Sequence, residues 1–378
     1  MSEPASSNVP FADPAADHQP LADELLGAAA RVIASGRYIL GPEVEAFERE
    51  LAEACGVAHA VGVSSGTDAL LAMLARAGVG PGDEVVTSPF SFFATAGAIL
   101  RMGARPVFAD VDPLTLNLDP AAALAKLGRR TRAVLVVHIF GRCLPTAALE
   151  AACQARGIAL LEDAAQAIGA VAPDGRRVGA RTTAAALSFF PTKNLGGLGD
   201  GGAVLTGDAA FAARMRRLRV HGADRKNHHL ELGGNFRLDA LQAALLRVKL
   251  PHLNAWTEAR RRGAARYRAG LSDTGLGLPP DDPGCVWNQF VVRVPRGRDQ
   301  LMAQLARAGV ASDVYYPTPL HLQPALRALG HAPGGLPIAE RACAEVLALP
   351  LYPSLQSAAI DRVIDVVAAA LREGPDPR

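Results

Sequence analysis

The chain has 378 residues, of which 49% are apolar and 20% are charged, and its formal net charge at pH 7 is +2. This length predicts one large and one smaller domain, and the apolar fraction argues against a disordered protein. The balanced charge argues against a broad basic surface for nucleic acid or for a membrane.

Residues 1–20 are polar, acidic and rich in proline, and we expect them to form a flexible arm rather than a signal peptide. No apolar run in the chain reaches the length of a membrane span. The five cysteines are scattered and lack C-x-x-C spacing, which argues against a disulfide framework or a zinc site. These features together predict a protein of the reducing cytoplasm.

Apolar segments of strand length then alternate with segments of helical periodicity. The predicted strands are 59–64, 84–88, 106–111, 133–140, 158–161, 184–190 and 203–206. The predicted helices are 23–35, 43–55, 69–76, 92–102, 120–127, 146–156 and 209–218. Apolar strands separated by helices predict an α/β fold whose mainly parallel sheet is covered on both faces. We assign residues 21–251 to this large domain.

The composition changes after residue 251, and we assign residues 252–378 to a smaller α+β domain. Its predicted elements are an arginine-rich helix at 256–268, a strand at 289–294, a helix at 299–308, a strand at 312–316, and helices at 337–347 and 358–371. Arg260 to Arg262 are most simply the solvated face of a helix. Contact with a nucleotide diphosphate is the alternative.

Polar groups that follow the predicted strands are candidates for a ligand site, because parallel sheets bind ligands at the carboxyl ends of their strands. Ser65, Gly66 and Thr67 precede a helix, and they would either hold a phosphate or simply cap that helix. A carboxylate after a buried strand, as at Asp163, needs a partner such as a pyridinium nitrogen or the start of the next helix. Phe92 would stack on a planar cofactor or belong to the core.

Lys193 lies in a loop between an apolar strand and the glycine-rich segment 196–202, and only four of the 39 basic residues are lysines. An amine can condense with an aldehyde, whereas a guanidinium cannot. An ordinary surface lysine is the alternative. An amine, a carboxylate at a strand end, a phosphate-binding turn and an aromatic ring are together what pyridoxal phosphate requires.

Several segments resemble the DegT/DnrJ/EryC1/StrS family of pyridoxal-phosphate-dependent sugar aminotransferases. They are 36–44, 64–70, 162–166, 189–196, 199–202, 235–244 and 319–324. The resemblance runs from about residue 36 to the C-terminus. It implies fold type I, the architecture of aspartate aminotransferase, with a seven-stranded, mainly parallel sheet in the large domain.

The resemblance also implies roles for individual residues. Lys193 would bind the cofactor aldehyde and move the proton, and Asp163 would pair with the pyridine nitrogen. Gln166 would lie beside the phenolic oxygen, and Phe92 would stack on the ring. The expected phosphate ligands are Ser65, Gly66, Thr67 and Ser188, with Asn235 of the partner subunit. The expected substrate contacts are Tyr316 and His321.

By this resemblance the protein is a cytoplasmic homodimer with shared active sites. It would move an amino group from an amino acid, L-glutamate by expectation, to a 3-keto or 4-keto sugar nucleotide in amino-sugar biosynthesis. We expect no metal ion, no nucleic acid and no membrane as a partner. The sugar, the nucleotide carrier and the stereochemistry of the new amine stay open.

Two other functions compete with this interpretation. Residues 62–66 match G-x-S-x-G, so an α/β-hydrolase with Ser64 as its nucleophile is one alternative. A cofactor-binding regulator without catalytic activity on the same scaffold is the other. Residues 197–202 match G-x-G-x-x-G, but an apolar strand follows them instead of a helix, which argues against a dinucleotide site.

Overall fold

The computed structural model describes residues 8–180 and 182–373. The strands are β1 His59–Val63, β2 Glu84–Thr87, β3 Arg105–Phe108, β4 Thr131–Val137, β5 Ala159–Asp163, β6 Ala184–Ser188, β7 Gly202–Thr206, β8 Ala223–Arg225, β9 His228–His229, β10 Phe290–Arg293 and β11 Val346–Leu349.

The α-helices are α1 Pro14–His18, α2 Ala22–Ser35, α3 Pro42–Cys55, α4 Gly66–Arg76, α5 Phe93–Arg101, α6 Pro120–Ala125, α7 Ala147–Arg156, α8 Ala209–Leu218, α9 Ala240–Lys249, α10 Leu253–Gly270, α11 Arg298–Arg307, α12 Pro337–Glu345 and α13 Ser357–Glu373. Short 3-10 helices cover Gln19–Leu21, Ile139–Gly141, Leu250–His252, Leu320–Leu322 and Pro324–Leu329.

Seven strands form the central sheet in the order β1-β7-β6-β5-β4-β2-β3. The strands from β6 to β3 pair in parallel, and β7 is antiparallel to both β6 and β1. The predicted α/β fold with a mainly parallel seven-stranded sheet is therefore confirmed. The parallel part places the ends of β5 and β6 side by side, because Asp163 is in register with Ala186.

Helices cover both faces of the sheet because the strands are apolar on both faces. Ala184 and Ala186 of β6 pack among residues of α4, α5 and α8. Ala185 and Leu187 of the same strand point the other way, toward α2, α3 and α9. This side-to-side alternation is the two-residue period of a β-strand, and here it buries an apolar side chain at each of the positions 184–187.

The C-terminal part of the chain has its own apolar core. Residues of α10, α11 and α13 pack there against the antiparallel pair β10 and β11. Two predictions in this part are wrong. Residues 312–316 form no strand but a single bridge between Asp313 and Ala348. The helix predicted at 337–347 ends at Glu345, and β11 follows it.

Val9, Phe11 and Asp17 contact the C-terminal part, whereas Leu21 packs in the core that contains α2, α3 and α9. Val9 exchanges backbone hydrogen bonds with Gly309 and Ala311, at 2.8 and 3.0 Å. Its side chain is buried in the core of the C-terminal part. The expected flexible arm includes residues 1–7, which lie outside the described residues. The division at residue 251 and the arm stay predictions.

Candidate active site

The carboxyl ends of the parallel strands open into a cavity of about 420 Å³. Nine of the predicted site residues line it: Ser65, Gly66, Thr67, Phe92, Asp163, Gln166, Ser188, Lys193 and Tyr316. They come from five separate stretches of the chain, and the order of the strands in the sheet brings them together.

Asp163 ends β5 and is 6% exposed. The Thr95 hydroxyl donates to its Oδ2 at 2.7 Å, and the Ala165 N–H donates to its Oδ1 at a longer 3.3 Å. Burial raises the pKa of this carboxyl, and the hydrogen bond from Thr95 opposes that rise. Each oxygen of the carboxylate thus accepts one hydrogen bond from the protein.

Lys193 lies on the tight turn that follows β6. Its N–H donates to the Phe190 carbonyl at 2.8 Å. A Cβ at Gly196 would lie 2.2 Å from the Pro191 carbonyl oxygen, so only glycine fits there. The Lys193 ammonium forms no hydrogen bond with any described residue, and burial lowers its pKa to about 8 against the attraction of Asp163. A neutral, reactive amine is therefore accessible near neutral pH.

The start of α4 lines part of the cavity. Ser65 caps the helix, and its Oγ accepts from the Asp68 N–H at 3.1 Å. A Cβ at Gly66 would lie 2.8 Å from Cβ of Ser188, so these two residues are in close contact. The first turn of an α-helix has backbone N–H groups without partners in the helix, and they carry partial positive charge. The predicted helix start at residue 69 is wrong, because residues 66–68 already form the first turn.

Gln166 and two aromatic rings form another part of the wall. The Phe140 N–H donates to Oε1 of Gln166 at 2.6 Å, and Nε2 of Gln166 donates to the Tyr316 hydroxyl at 3.3 Å. Phe92 is 61% exposed, and its ring centroid lies 6.5 Å from that of Tyr316. An exposed ring beside the cavity is available to stack on a flat ligand.

Two of the predicted residues lie elsewhere. Asn235 is exposed and lines a neighbouring cleft, which shares Asp200 with the cavity. His321 is 2% exposed, and its Nε2 lies 3.1 Å from Oε1 of Glu340. Because His321 does not line the cavity, we do not propose it as a substrate contact.

Sequence reasoning considered Arg260 only as part of the run 260–262, as a solvated helix face or a contact to a nucleotide diphosphate. In the structure Arg260 is buried and lines the cavity. The prediction that it lies on a solvated helix face is wrong for this residue, whereas Arg262 is exposed. A signal was present in the helical period. Arg260 falls three or four residues from Thr257 and Ala264, which are also buried.

Ser64 is not arranged as a hydrolase nucleophile. Its hydroxyl donates to Oδ2 of Asp68 at 2.6 Å. Within residues 8–180 and 182–373 no histidine forms a hydrogen bond with it. Across the same residues, no group of three or more His, Cys, Asp or Glu side chains could hold a metal ion. None of the described helices is long and apolar enough to cross a bilayer.

The cavity residues fit pyridoxal phosphate. The cofactor needs an amine for its aldehyde, a carboxylate for its ring nitrogen, donors for its phosphate and a flat apolar surface for its ring. Lys193, Asp163, the start of α4 and Phe92 supply these four features around one cavity.

Comparisons with known proteins agree with this fit. A model of the DegT/DnrJ/EryC1/StrS aminotransferase family matches residues 20–368. The "Pleiotropic regulatory protein" of Geobacillus stearothermophilus is 45% identical over 97% of this chain and 99% of that protein. The dTDP-3-amino-3,4,6-trideoxy-alpha-D-glucose transaminase of Streptomyces venezuelae is 45% identical over 95% of each chain.

A solved structure is equally similar. The crystal structure of S. venezuelae DesV in complex with a ketimine intermediate superposes with a TM-score of 0.94 at 44% identity, over 98% of this chain and 100% of that one. The resemblance found in the sequence is thus confirmed in family, fold, cofactor and reaction type. The chain belongs to the DegT/DnrJ/EryC1/StrS aminotransferase family and is an aminotransferase that uses pyridoxal phosphate.

Proposed function

We propose that this aminotransferase moves the amino group of L-glutamate to the keto group of a nucleotide-linked deoxysugar, at carbon 3 of the sugar. The observation that carries the proposal is the placement of Lys193 and Asp163 in one cavity at adjacent strand ends. The carbon-3 assignment follows the name of the Streptomyces venezuelae relative, whose product carries its amine there.

Asp163 would hold a proton at the ring nitrogen of the cofactor. When bound, pyridoxal phosphate supplies an aldehyde that takes over the amino group and a ring that withdraws electrons. A carboxylate in contact with the protonated nitrogen attracts it by about 5 kcal/mol at an effective dielectric near 20, before desolvation. Hydrogen bonds from the Thr95 hydroxyl and the Ala165 N–H would hold the carboxylate in place for this contact.

Lys193 would bind the aldehyde and then act as the acid and base. Its Nζ takes the proton from the α-carbon of the amino donor, and the same atom works in reverse when the keto sugar is aminated. A pKa near 8 leaves part of the free amine neutral near pH 7, and the neutral amine is the form that condenses with the aldehyde. Two half-reactions at one amine predict ping-pong kinetics.

The remaining residues would bind and orient. Ser65, Gly66 and Thr67 at the start of α4, with Ser188, would hold the phosphate. Phe92 would stack on the ring, and Gln166 would lie beside the phenolic oxygen. Tyr316 lines the cavity next to Gln166 and is our proposed substrate contact.

We further propose a homodimer with shared active sites. Exposed large apolar side chains support this, because monomers rarely leave so many in one region. Those nearest the cavity and the Asn235 cleft are Tyr38, Ile39, Phe92, Phe190, Leu198 and Leu241. Asn235 is exposed in the cleft beside the cavity, and we assign it to the phosphate of the partner's site. The cytoplasm is our proposed compartment, because all five cysteines are buried and unpaired.

An absorption spectrum tests the cofactor, the lysine and the donor together. Protein loaded with pyridoxal phosphate should absorb visible light, and L-glutamate should remove that band with release of 2-oxoglutarate. Lys193→Ala should show neither effect. A protein that stays colourless after incubation with the cofactor would contradict the proposal.

The acceptor needs a second experiment. With L-glutamate present, 3-keto and 4-keto sugar nucleotides would be supplied one at a time, and the products weighed by mass spectrometry. We expect an aminated sugar nucleotide from a 3-keto substrate. Amination of the 4-keto substrates alone would contradict the carbon-3 assignment while leaving the donor assignment intact.

A further inference from the structure

Arg260 is a buried cation whose polar contacts are all neutral. It lies on α10, is 5% exposed and lines the same cavity as Lys193. Its Nη1 donates to the carbonyl oxygens of Leu351, Asn288 and Trp287, at 2.6, 3.3 and 3.4 Å. These bonds fix the position of the guanidinium. Burial lowers the pKa of Arg260 and the charge of Asp17 raises it by less, but the two side chains form no ion pair.

Three other arginines of α10 have carboxylate partners. The pairs are Arg261 with Glu258, Arg266 with Asp361, and Arg268 with Asp281. Among the described residues, no carboxylate lies within 4.0 Å of Arg260. Its Nε is enclosed without a partner, and no hydrogen bond from its Nη2 to a described residue is formed. Nη2 therefore retains its donors for a ligand, whereas Nε is closed off from the cavity.

An anion in the cavity would pair with the buried positive charge of Arg260 and so stabilise it. A buried charge without a partner is strongly unfavourable, and a planar guanidinium binds a carboxylate through two parallel hydrogen bonds. Arg260 is already held in place by three carbonyl groups, so little side-chain entropy is lost when an anion binds.

The amino donor is the anion that the cavity leaves without a partner. The phosphate has the start of α4, and Arg260 bonds instead to backbone groups of the C-terminal part. Among the described residues that line the cavity, the only lysine and arginine side chains are Lys193 and Arg260. Lys193 is engaged in the reaction itself, so Arg260 is the cation available to a carboxylate.

We propose that Arg260 binds a carboxylate of the amino-acid donor and thereby places the donor amine at Lys193. The inference rests on the proposed donor, L-glutamate. It gives the site a preference for donors that carry a carboxylate over simple amines. Arg260 would be a binding residue for the first half-reaction and would take no part in proton transfer.

Binding measurements test this without turnover. The cofactor-loaded protein is titrated by calorimetry with 2-methyl-L-glutamate, which keeps both carboxylates but has no α-hydrogen. The variants are Arg260→Lys and Arg260→Gln, with Arg261→Gln as the matched control on the same helix. We expect Arg260→Gln to weaken binding roughly tenfold to a hundredfold and Arg260→Lys to weaken it less. Arg261→Gln should bind as the unsubstituted protein does.

A second ligand, dTDP, separates the alternatives. We expect its affinity to be the same in all four proteins. Unchanged binding of 2-methyl-L-glutamate in both Arg260 variants would overturn the inference. If the Arg260 variants lose affinity for dTDP alone, Arg260 belongs to the site of the nucleotide diphosphate. If they lose affinity equally for both ligands and unfold at a lower temperature, the role of Arg260 is structural. Either outcome also overturns the inference.

The proposed donor can fail separately. If the unsubstituted protein does not bind 2-methyl-L-glutamate, the assignment of L-glutamate falls, and the inference falls with it. Arg260→Lys keeps the charge and most of the side chain, so it supplies the measurement if Arg260→Gln does not fold.

Discussion

The amine of Lys193 is desolvated in the cavity, and no described residue offers it a hydrogen bond. Function requires this arrangement, but it is unfavourable for the folded protein when the cofactor is absent. A lysine whose pKa is lowered by folding binds fewer protons folded than unfolded, here between pH 8 and pH 10.5. The destabilisation caused by Lys193 therefore has its full size below about pH 8. It disappears as the pH rises through the pKa of the lysine in the unfolded chain.

Lys193→Met should consequently stabilise the cofactor-free protein. We expect its free energy of unfolding at pH 7 to rise by roughly 1–3 kcal/mol, after allowance for solvent screening. The difference in free energy of unfolding from the unsubstituted protein should become smaller as the pH approaches the pKa of the free lysine. Urea unfolding at pH 7 and pH 10 measures both effects, with exposed Lys226→Met as the control. If Lys193→Met and the unsubstituted protein are equally stable at pH 7, burial of the lysine does not destabilise the folded protein.

At the scale of elements, β7 positions the start of α4. A Cβ on Gly202, the first residue of β7, would lie 2.5 Å from the carbonyl carbon and oxygen of Ser65 and 2.8 Å from the backbone nitrogen of Gly66. These are backbone atoms, so they cannot move aside as a flexible side chain would. The glycine therefore sets the place of the proposed phosphate donors.

Gly202→Ala should weaken cofactor binding by displacing the start of α4. We expect the dissociation constant for pyridoxal phosphate to rise at least tenfold, with a loss of stability of about 1–3 kcal/mol from overpacking. Gly207→Ala is the matched control, since nothing lies within 4 Å of its added Cβ. Fluorescence titration of the cofactor-free proteins gives the constants. The same constant in both variants would show that the contact is unimportant.

Strands that form separate apolar runs could be predicted from the sequence, and those set by distant contacts could not. β1 and β6 are short apolar runs, so their assignment needed no partner. β11 continues the apolar pattern of α12 and is a strand only because it pairs with β10. The exposed pair β8 and β9 carries no apolar signal.

The same distinction applies to the site. Asp163 ends β5 and Lys193 lies in the loop after β6, so the rule about strand ends explains why they lie in one cavity. Arg260 required knowledge of the carbonyl groups of Asn288 and Leu351, which are far away in the chain. Its place in a run of three arginines also resembles a solvated surface. The individual roles of the site residues stay predictions.

At the scale of the whole molecule, the proposed dimer makes each site depend on two chains. Lys193 lies in the cavity of its own chain, whereas Asn235 lies in the exposed cleft beside it. If Asn235 serves the partner's site, inactive variants should restore each other, because a mixed dimer contains one site with both residues intact.

We therefore expect activity from a mixture of two inactive proteins, Lys193→Ala and Asn235→Ala. Joint unfolding and refolding at equal concentrations should give about a quarter of the unsubstituted activity, since half of the dimers are mixed and each has one intact site. Each variant refolded alone is the control. If the refolded mixture is as inactive as each variant alone, the proposed sharing is wrong. Asn235 would then serve the site of its own chain, or the sites would not be shared.

Residues 8–12 have a practical meaning for work with this protein. Val9 is tied to Gly309 and Ala311, and Phe11 and Ala12 line the cavity. Helix α13 packs at the other end of the described chain, against α10 and α11. A purification tag ahead of Val9 would therefore be joined to a segment of the active-site wall. An affinity tag or an immobilisation linker belongs after α13, because no described residue of that helix lines the cavity.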